Sequence, residues 1–249
     1  MSVRYLSCGD TAFSVEFGTG IDPAINARVM GLHAAIKAEA AAGRLPGVVE
    51  TVPSFRALLV HYDPLTTSRA ALEPLVASLV AENRAAASVG RAWIVPCCYD
   101  DPEFAPDLPE VAARTGHTVE QVIALHTGAT FTVYVLGFMP GYPYIGGLPK
   151  ALELPRRSEP RVRVPKGSVA VAGVMTGVYA WDSPGGWHLI GRTPVAMFDP
   201  RRAEPSLYGP GDTTWFRRIG RAEYDALLAS QEAGTLDVGR FRVAPGTRT

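Results

Sequence analysis

The sequence predicts an α+β chain in two parts, a small two-layer α/β domain over residues 1–88 and a strand-rich domain over residues 89–249. Three observations carry this. The first 83 residues alternate period-2 apolar runs with two segments of helical periodicity, in the order strand, helix, strand, strand, helix. Ala85–Gly90, AAASVG, is small, uncharged and unpatterned, as a linker would be. From Gly137 to Pro194, Gly and Pro recur every few residues among short apolar runs with no helical period, which is the chemistry of turns and strands.

TAFSVEF (11–17) alternates as a strand and ends at the Gly18–Gly20 turn. Asp22 can cap a helix that Pro23 opens, and Ile25, Val29, Leu32 and Ile36 then fall on one face. VVETV (48–52) and ALLVHY (57–62) read as strands meeting at a turn around Pro53–Phe55. A second helix runs from Thr67 or Ser68 to Asn83. Nothing in this half suggests a reaction centre, and His33 and His61 have no second ligand at metal spacing.

Beyond the linker, AWIVPCCY (92–99) is strand-like, Asp107 can cap a helix at 109–115, and Thr118 with Gln121 forms a capping-box pattern for a helix through His126. FTVYVLGF (131–138) is a strand leading into the Gly/Pro-rich segment. TWFRRI (214–219) is a later strand after the Gly211–Asp212 turn, followed by a short helix at 221–229 and a strand-like tail at 236–243.

Composition narrows the function classes. Lys plus Arg (24) balances Asp plus Glu (24), so no net field attracts nucleic acid or an anionic membrane. Cys8, Cys97 and Cys98 form neither a disulfide framework nor a zinc pattern. No signal-peptide core and no run of 18 apolar residues occurs, so the expectation is a cytoplasmic protein.

The candidate chemistry lies in residues 126–193. GFMPGYPYIGG (137–147) sets Phe138, Tyr142 and Tyr144 among turn residues, either lining a groove or packing a corner. PRRSEPR (155–161) puts Arg156, Arg157 and Arg161 on a proline-bracketed loop that suits a phosphate or carboxylate, or else forms salt bridges with Glu153 and Glu159. Lys166, Ser168 and the Gly167 amide sit in a turn where an anion could bind, without P-loop spacing. Ser183–Gly186 must turn sharply, and Trp187 rather than His188 is expected to face a pocket, with Arg192 and Thr193 adding donors. No GxSxG elbow supports a Ser–His–Asp set.

GFMPGYPYIGGLP, PRRSEPRVRVPKGSVAVAG, GVYAWDSPGGWHLIGRTP and the later PGD…F pattern closely resemble the family of bacterial 5-oxoprolinase B subunits, known under older labels as the first component of allophanate hydrolase and as a Kip-type sporulation-kinase inhibitor. GDTAFSVEFG and VPSFRALLVHYDP extend the likeness over essentially the whole chain. The resemblance implies a cyclophilin-like β-barrel for the second domain, the C and A subunits of 5-oxoprolinase as partners, and ATP as a cofactor at the level of the complex. It implies opening of the 5-oxoproline lactam to glutamate by a polypeptide inactive alone. Histidine-kinase inhibition and an allophanate- or urea-related carboxyltransferase role are its alternatives. By the same resemblance His126, Arg157 and Arg161 are the expected catalytic residues, with His126 as acid or base. Tyr144, Lys166, Ser168, Ser183, Gly185, Gly186, Trp187 and Arg192 are the expected substrate-binding residues, and docking of the C subunit is the competing use of this surface. Met175 stands where relatives commonly carry a Gln.

Overall fold

A computed structural model describes residues 3–82, 90–244 and 246, in two compact units, Met1–Val89 and Gly90–Thr249. The linker-like residues 85–89 lie outside the described residues.

In the first unit, alternation decides which side of each strand is buried. Strands β1 (Arg4–Ser7), β2 (Ala12–Glu16), β3 (Val48–Pro53) and β4 (Ala57–Tyr62) form an antiparallel sheet in the order β1-β2-β4-β3. Phe13 and Val15 from β2 and Leu58 and Val60 from β4 point inward. Helix α1 (Pro23–Ala41) covers them with Val29, Leu32 and Ile36, and α2 (Arg69–Glu82) adds Leu72 and Val76. Asp22 caps α1 as its sequence position requires, accepting the Ala24 and Ile25 amides at 2.7 and 3.2 Å.

The second unit is built on eight strands. They are β5 (Ala92–Cys97), β6 (Phe131–Leu136), β7 (Pro143–Gly146), β9 (Ser168–Ala172), β10 (Met175–Val178), β12 (His188–Arg192), β13 (Thr213–Arg218) and β14 (Arg242–Val243), in the order β12-β9-β10-β7-β6-β13-β5-β14. Strands β8 (Arg161–Val164) and β11 (Ser183–Gly185) pair separately. Every pairing is antiparallel except β5 with β13. At one further point, Cys98 and Arg192 exchange backbone hydrogen bonds of 2.8 and 2.9 Å, joining the end of β5 to β12. Helices α3 (Leu108–Thr115), α4 (Val119–Gly128) and α5 (Arg221–Glu232) complete the unit, and Thr118 and Gln121 form the expected capping box on α4.

Strand β9 is buried on both faces, so its alternation separates two apolar clusters. Val169 and Val171 enter the main core with Val95, Phe131, Ile190 and Phe216, whereas Ala170 and Ala172 enter an aromatic cluster with Tyr142, Tyr179 and Trp187. Asp212, in the PGD turn, is a structural anchor: it accepts from Trp93 Nε1 at 2.9 Å and from the Arg91 and Gly209 amides.

Candidate functional site

The aromatic cluster opens into a cavity of about 340 Å³ walled by Phe138, Tyr142, Tyr144, Tyr179 and Trp187, with Arg156 at its edge. Edge-to-face contacts hold the rings: Tyr142 lies 5.0 Å from Tyr144, 5.3 Å from Tyr179 and 6.2 Å from Trp187. The Arg156 guanidinium stands 6.0 Å above the Trp187 ring. Burial raises the Tyr142 and Tyr179 phenols, which therefore stay protonated at neutral pH and present O–H groups.

Two backbone features shape this cavity. A Cβ on Gly185 would stand 2.1 Å from the Tyr179 hydroxyl, so only glycine lets β11 pass. Phe138 holds a left-handed φ of 68° and leaves its ring 64% exposed at the rim, 5.6 Å from Tyr142. Met175, half-buried, packs its thioether on the same cluster.

Of the residues singled out in the sequence, Phe138, Tyr142, Tyr144, Arg156, Gly185, Gly186 and Trp187 come together here. Trp187 lines the cavity, while His188 is fully buried and its Nε2 meets the Pro155 carbonyl at 3.0 Å. The others lie elsewhere.

His126 is enclosed in the core, packed on Phe131 and Phe216. Thr176 donates its hydroxyl proton to the Ala170 carbonyl at 3.0 Å and so accepts from His126 Nε2–H at 3.0 Å; Nδ1 then accepts from the Tyr99 hydroxyl at 2.7 Å. Burial lowers its pKa to about 3, so the ring is neutral and both nitrogens are used. A histidine so enclosed does not meet the expectation of an acid or base at the cavity.

Arg157 and Arg161 are committed to Asp107. Arg161 grips both of its oxygens at 2.9 and 2.6 Å, and Arg157 reaches Asp107 at 3.2 Å and Glu110 at 3.3 Å. Glu153 and Glu159 do not serve as their partners among the described residues; two acids before and within α3 do. The arginine loop thus holds the cavity wall, and Arg157 N–H donates to the Gly186 carbonyl at 2.8 Å.

The Lys166–Ser168 turn offers no amides to an anion. Lys166 N–H donates to Asp182 at 2.8 Å, Gly167 N–H to the Tyr179 carbonyl at 2.7 Å and Ser168 N–H to the Pro165 carbonyl at 3.2 Å. Ser168 is wholly buried, and its hydroxyl and that of Ser183 have no partner among the described groups. Lys166 and Arg192 side chains line a second cavity, distinct from the aromatic one. Phosphate binding therefore does not fit this turn. Among the described residues no group of three or more His, Cys, Asp or Glu could hold a metal.

Asp107 and Tyr179 carry more of the site than the sequence suggested. Asp107 looked like a helix cap, a role its side chain does not perform. Tyr179 has one indirect signal, the glycine pair that its ring requires nearby.

An aromatic pocket on an antiparallel sheet, edged by an arginine loop, sits within a unit of carboxyltransferase-domain type. Residues 3–208 match the model of the carboxyltransferase domain, subdomain C and D, and the chain belongs to that family. It is 38% identical over 243 residues to the 5-oxoprolinase B subunit of Bacillus subtilis (strain 168), a match covering 91% of this chain and 98% of that one. Among solved structures it is similar to TTHA0988, with 40% identity and a TM-score of 0.73 over 88% of this chain, and it spans about two fifths (40%) of that longer chain. Kluyveromyces lactis urea carboxylase shares the fold, with 20% identity and a TM-score of 0.75 over 94% of this chain and 23% of that one. Among the described residues no helix is long and apolar enough to cross a membrane.

Proposed function

We propose that this chain is the B subunit of an ATP-dependent 5-oxoprolinase, which opens the 5-oxoproline lactam to glutamate together with its A and C subunits and is inert alone. The observation that carries this is the end-to-end likeness to a 5-oxoprolinase B subunit. The aromatic cavity supports it. Ring faces and neutral phenols suit a small planar amide, and the Arg156 guanidinium suits its carboxylate. The cavity walls hold no carboxylate or histidine among the described residues, which favours a component that binds and orients over one that completes a hydrolysis.

ATP belongs to the complex in this reading, and no phosphate-holding role falls to the engaged amides at Lys166–Ser168. Similar sequences built into longer chains support the need for further polypeptide. The proposal includes a cyclophilin-like closure of the second unit, supported by the Cys98–Arg192 bridge, and a cytoplasmic location, supported by three unpaired cysteines. The second reading, an allophanate-related carboxyltransferase component, is favoured by the family match itself.

The test is glutamate release from 5-oxoproline and ATP by the co-purified complex, omitting each polypeptide in turn. Activity that needs all three, with an Arg156→Ala variant raising KM about tenfold in an intact complex, is the expected result. An assembled but inert mixture overturns the proposal and sends the question to allophanate turnover.

A further inference from the structure

The second cavity, of about 530 Å³, is floored by Val195 and Met197, walled by Trp181, Phe198 and Leu228, and edged by Lys166 and Arg192. Trp181 is fixed at its rim: Nε1 donates to the Pro140 carbonyl at 3.0 Å, and the ring lies 5.8 Å from Phe198. The charges divide unevenly. Arg163 is bound to Asp182 at 2.9 and 2.6 Å and Arg201 to Asp199 at 2.9 and 2.7 Å, which neutralises those two pairs. Arg192 stacks 4.5 Å over the Phe104 ring, bonds the Tyr224 hydroxyl, and faces acids only at longer range, with Glu103 at 3.8 Å and Asp101 in its field. The exposed Lys166 ammonium makes no hydrogen bond and no close ion pair among the described residues, and it shares the field of Asp182 with Arg163.

Two cationic side chains, Arg192 and Lys166, at the edge of an apolar floor are complementary to one negative charge on an apolar body. We propose that this cavity is a second binding site, separate from the aromatic one, for a monoanionic carboxylate with an aromatic or branched apolar tail. The carboxylate lies between Lys166 and Arg192, and the tail lies over Met197 against Trp181 and Phe198. Asp182 and Asp199, each held by an arginine, also line the cavity with Glu232, whose charge disfavours a phosphate dianion. The volume falls within the range of small-molecule sites and accommodates more than a single small ring. The inference does not depend on the oxoprolinase reading.

Three probes of matched length test it: 4-phenylbutyrate, 4-phenylbutan-1-ol and 4-phenylbutylamine, titrated calorimetrically into the full chain, with methionine methyl NMR to locate binding. 4-Phenylbutyrate is expected to bind at one equivalent, about tenfold tighter than the alcohol or the amine, and to shift the Met197 methyl while leaving Met175 unchanged. Arg192→Leu and Lys166→Ala should each weaken 4-phenylbutyrate about tenfold and leave the alcohol unaffected. Lys166→Ala guards against a folding defect, because the Lys166 contact with Asp182 is made by its backbone. Equal affinity for the acid and the alcohol, undiminished binding in Lys166→Ala, or a shift at Met175 instead of Met197 would overturn the proposal.

Discussion

Asp107 receives Arg161 through two parallel hydrogen bonds of 2.9 and 2.6 Å, and the same carboxylate accepts the Leu189 amide at 2.7 Å. Asp107 N–H returns a bond to the Leu189 carbonyl at 3.1 Å, so one buried acid pins the edge strand β12, the start of α3 and the arginine loop. Asp107→Ala removes the partner of two partly buried guanidinium groups and strands a backbone donor. The expected loss is about 3–5 kcal/mol in urea unfolding. A double-mutant cycle with Arg161→Met should show strong coupling, and additive effects would argue against the clamp.

Gly185→Ala tests the aromatic wall. The added methyl meets the Tyr179 ring from the hydroxyl to the ring carbons, at 2.1 to 2.8 Å, so the ring must move. We expect a destabilisation of about 1–3 kcal/mol and a changed near-ultraviolet circular dichroism spectrum. An unaltered spectrum would show that the wall yields without cost.

Phe138→Gly should move stability and function in opposite directions. Glycine relieves a left-handed backbone at φ 68° at the expense of a largely exposed ring, for an expected gain of about 1 kcal/mol in thermal unfolding. Activity of the assembled complex should fall if the ring serves the cavity rim. A loss of both would place Phe138 in packing alone.

The buried His126 links stability to acid. Its folded pKa of about 3 lies below the ordinary value of 6.5, so the unfolded chain binds the extra proton between those values. Stability contributed by the neutral ring is therefore present above pH 6.5 and lost as pH falls towards 3, with a slope of about 1.4 kcal/mol per pH unit within that window. His126→Gln should lack this component. Urea midpoints of the two proteins across about pH 4–7 decide it, and parallel curves would refute it.

What the sequence shows well is what neighbouring residues decide among themselves. Asp22 and Pro23 start α1, Thr118 and Gln121 start α4, and ALLVHY is β4 with the bounds its alternation gives. The site is different, because long-range contacts reassign side chains whose local signals point elsewhere. Asp107 gives up capping for arginines 50 and 54 residues away, and His126 finds partners 27 and 50 residues away. Lys166, Ser168 and Arg192 looked like companions of Trp187 because they are close in sequence, whereas strands β9 and β12 carry them to other surroundings. The aromatic residues of 137–147 kept their expected company, since consecutive turns hold Phe138, Tyr142 and Tyr144 together on either side of the start of β7.

The parallel pairing of β5 with β13 also sets a schedule for the ribosome. Ala92 is matched to Thr213, and Trp93 to Thr214, so β5 is synthesised about 120 residues before its parallel neighbour. At roughly 5–20 residues per second it waits on the order of ten seconds with that edge unpaired, while residues 3–82 already contain all four strands of their own sheet. The second unit cannot complete its sheet before Thr213–Arg218 has been made, and the apolar AWIVPC segment is the stretch left with an unpaired edge until then.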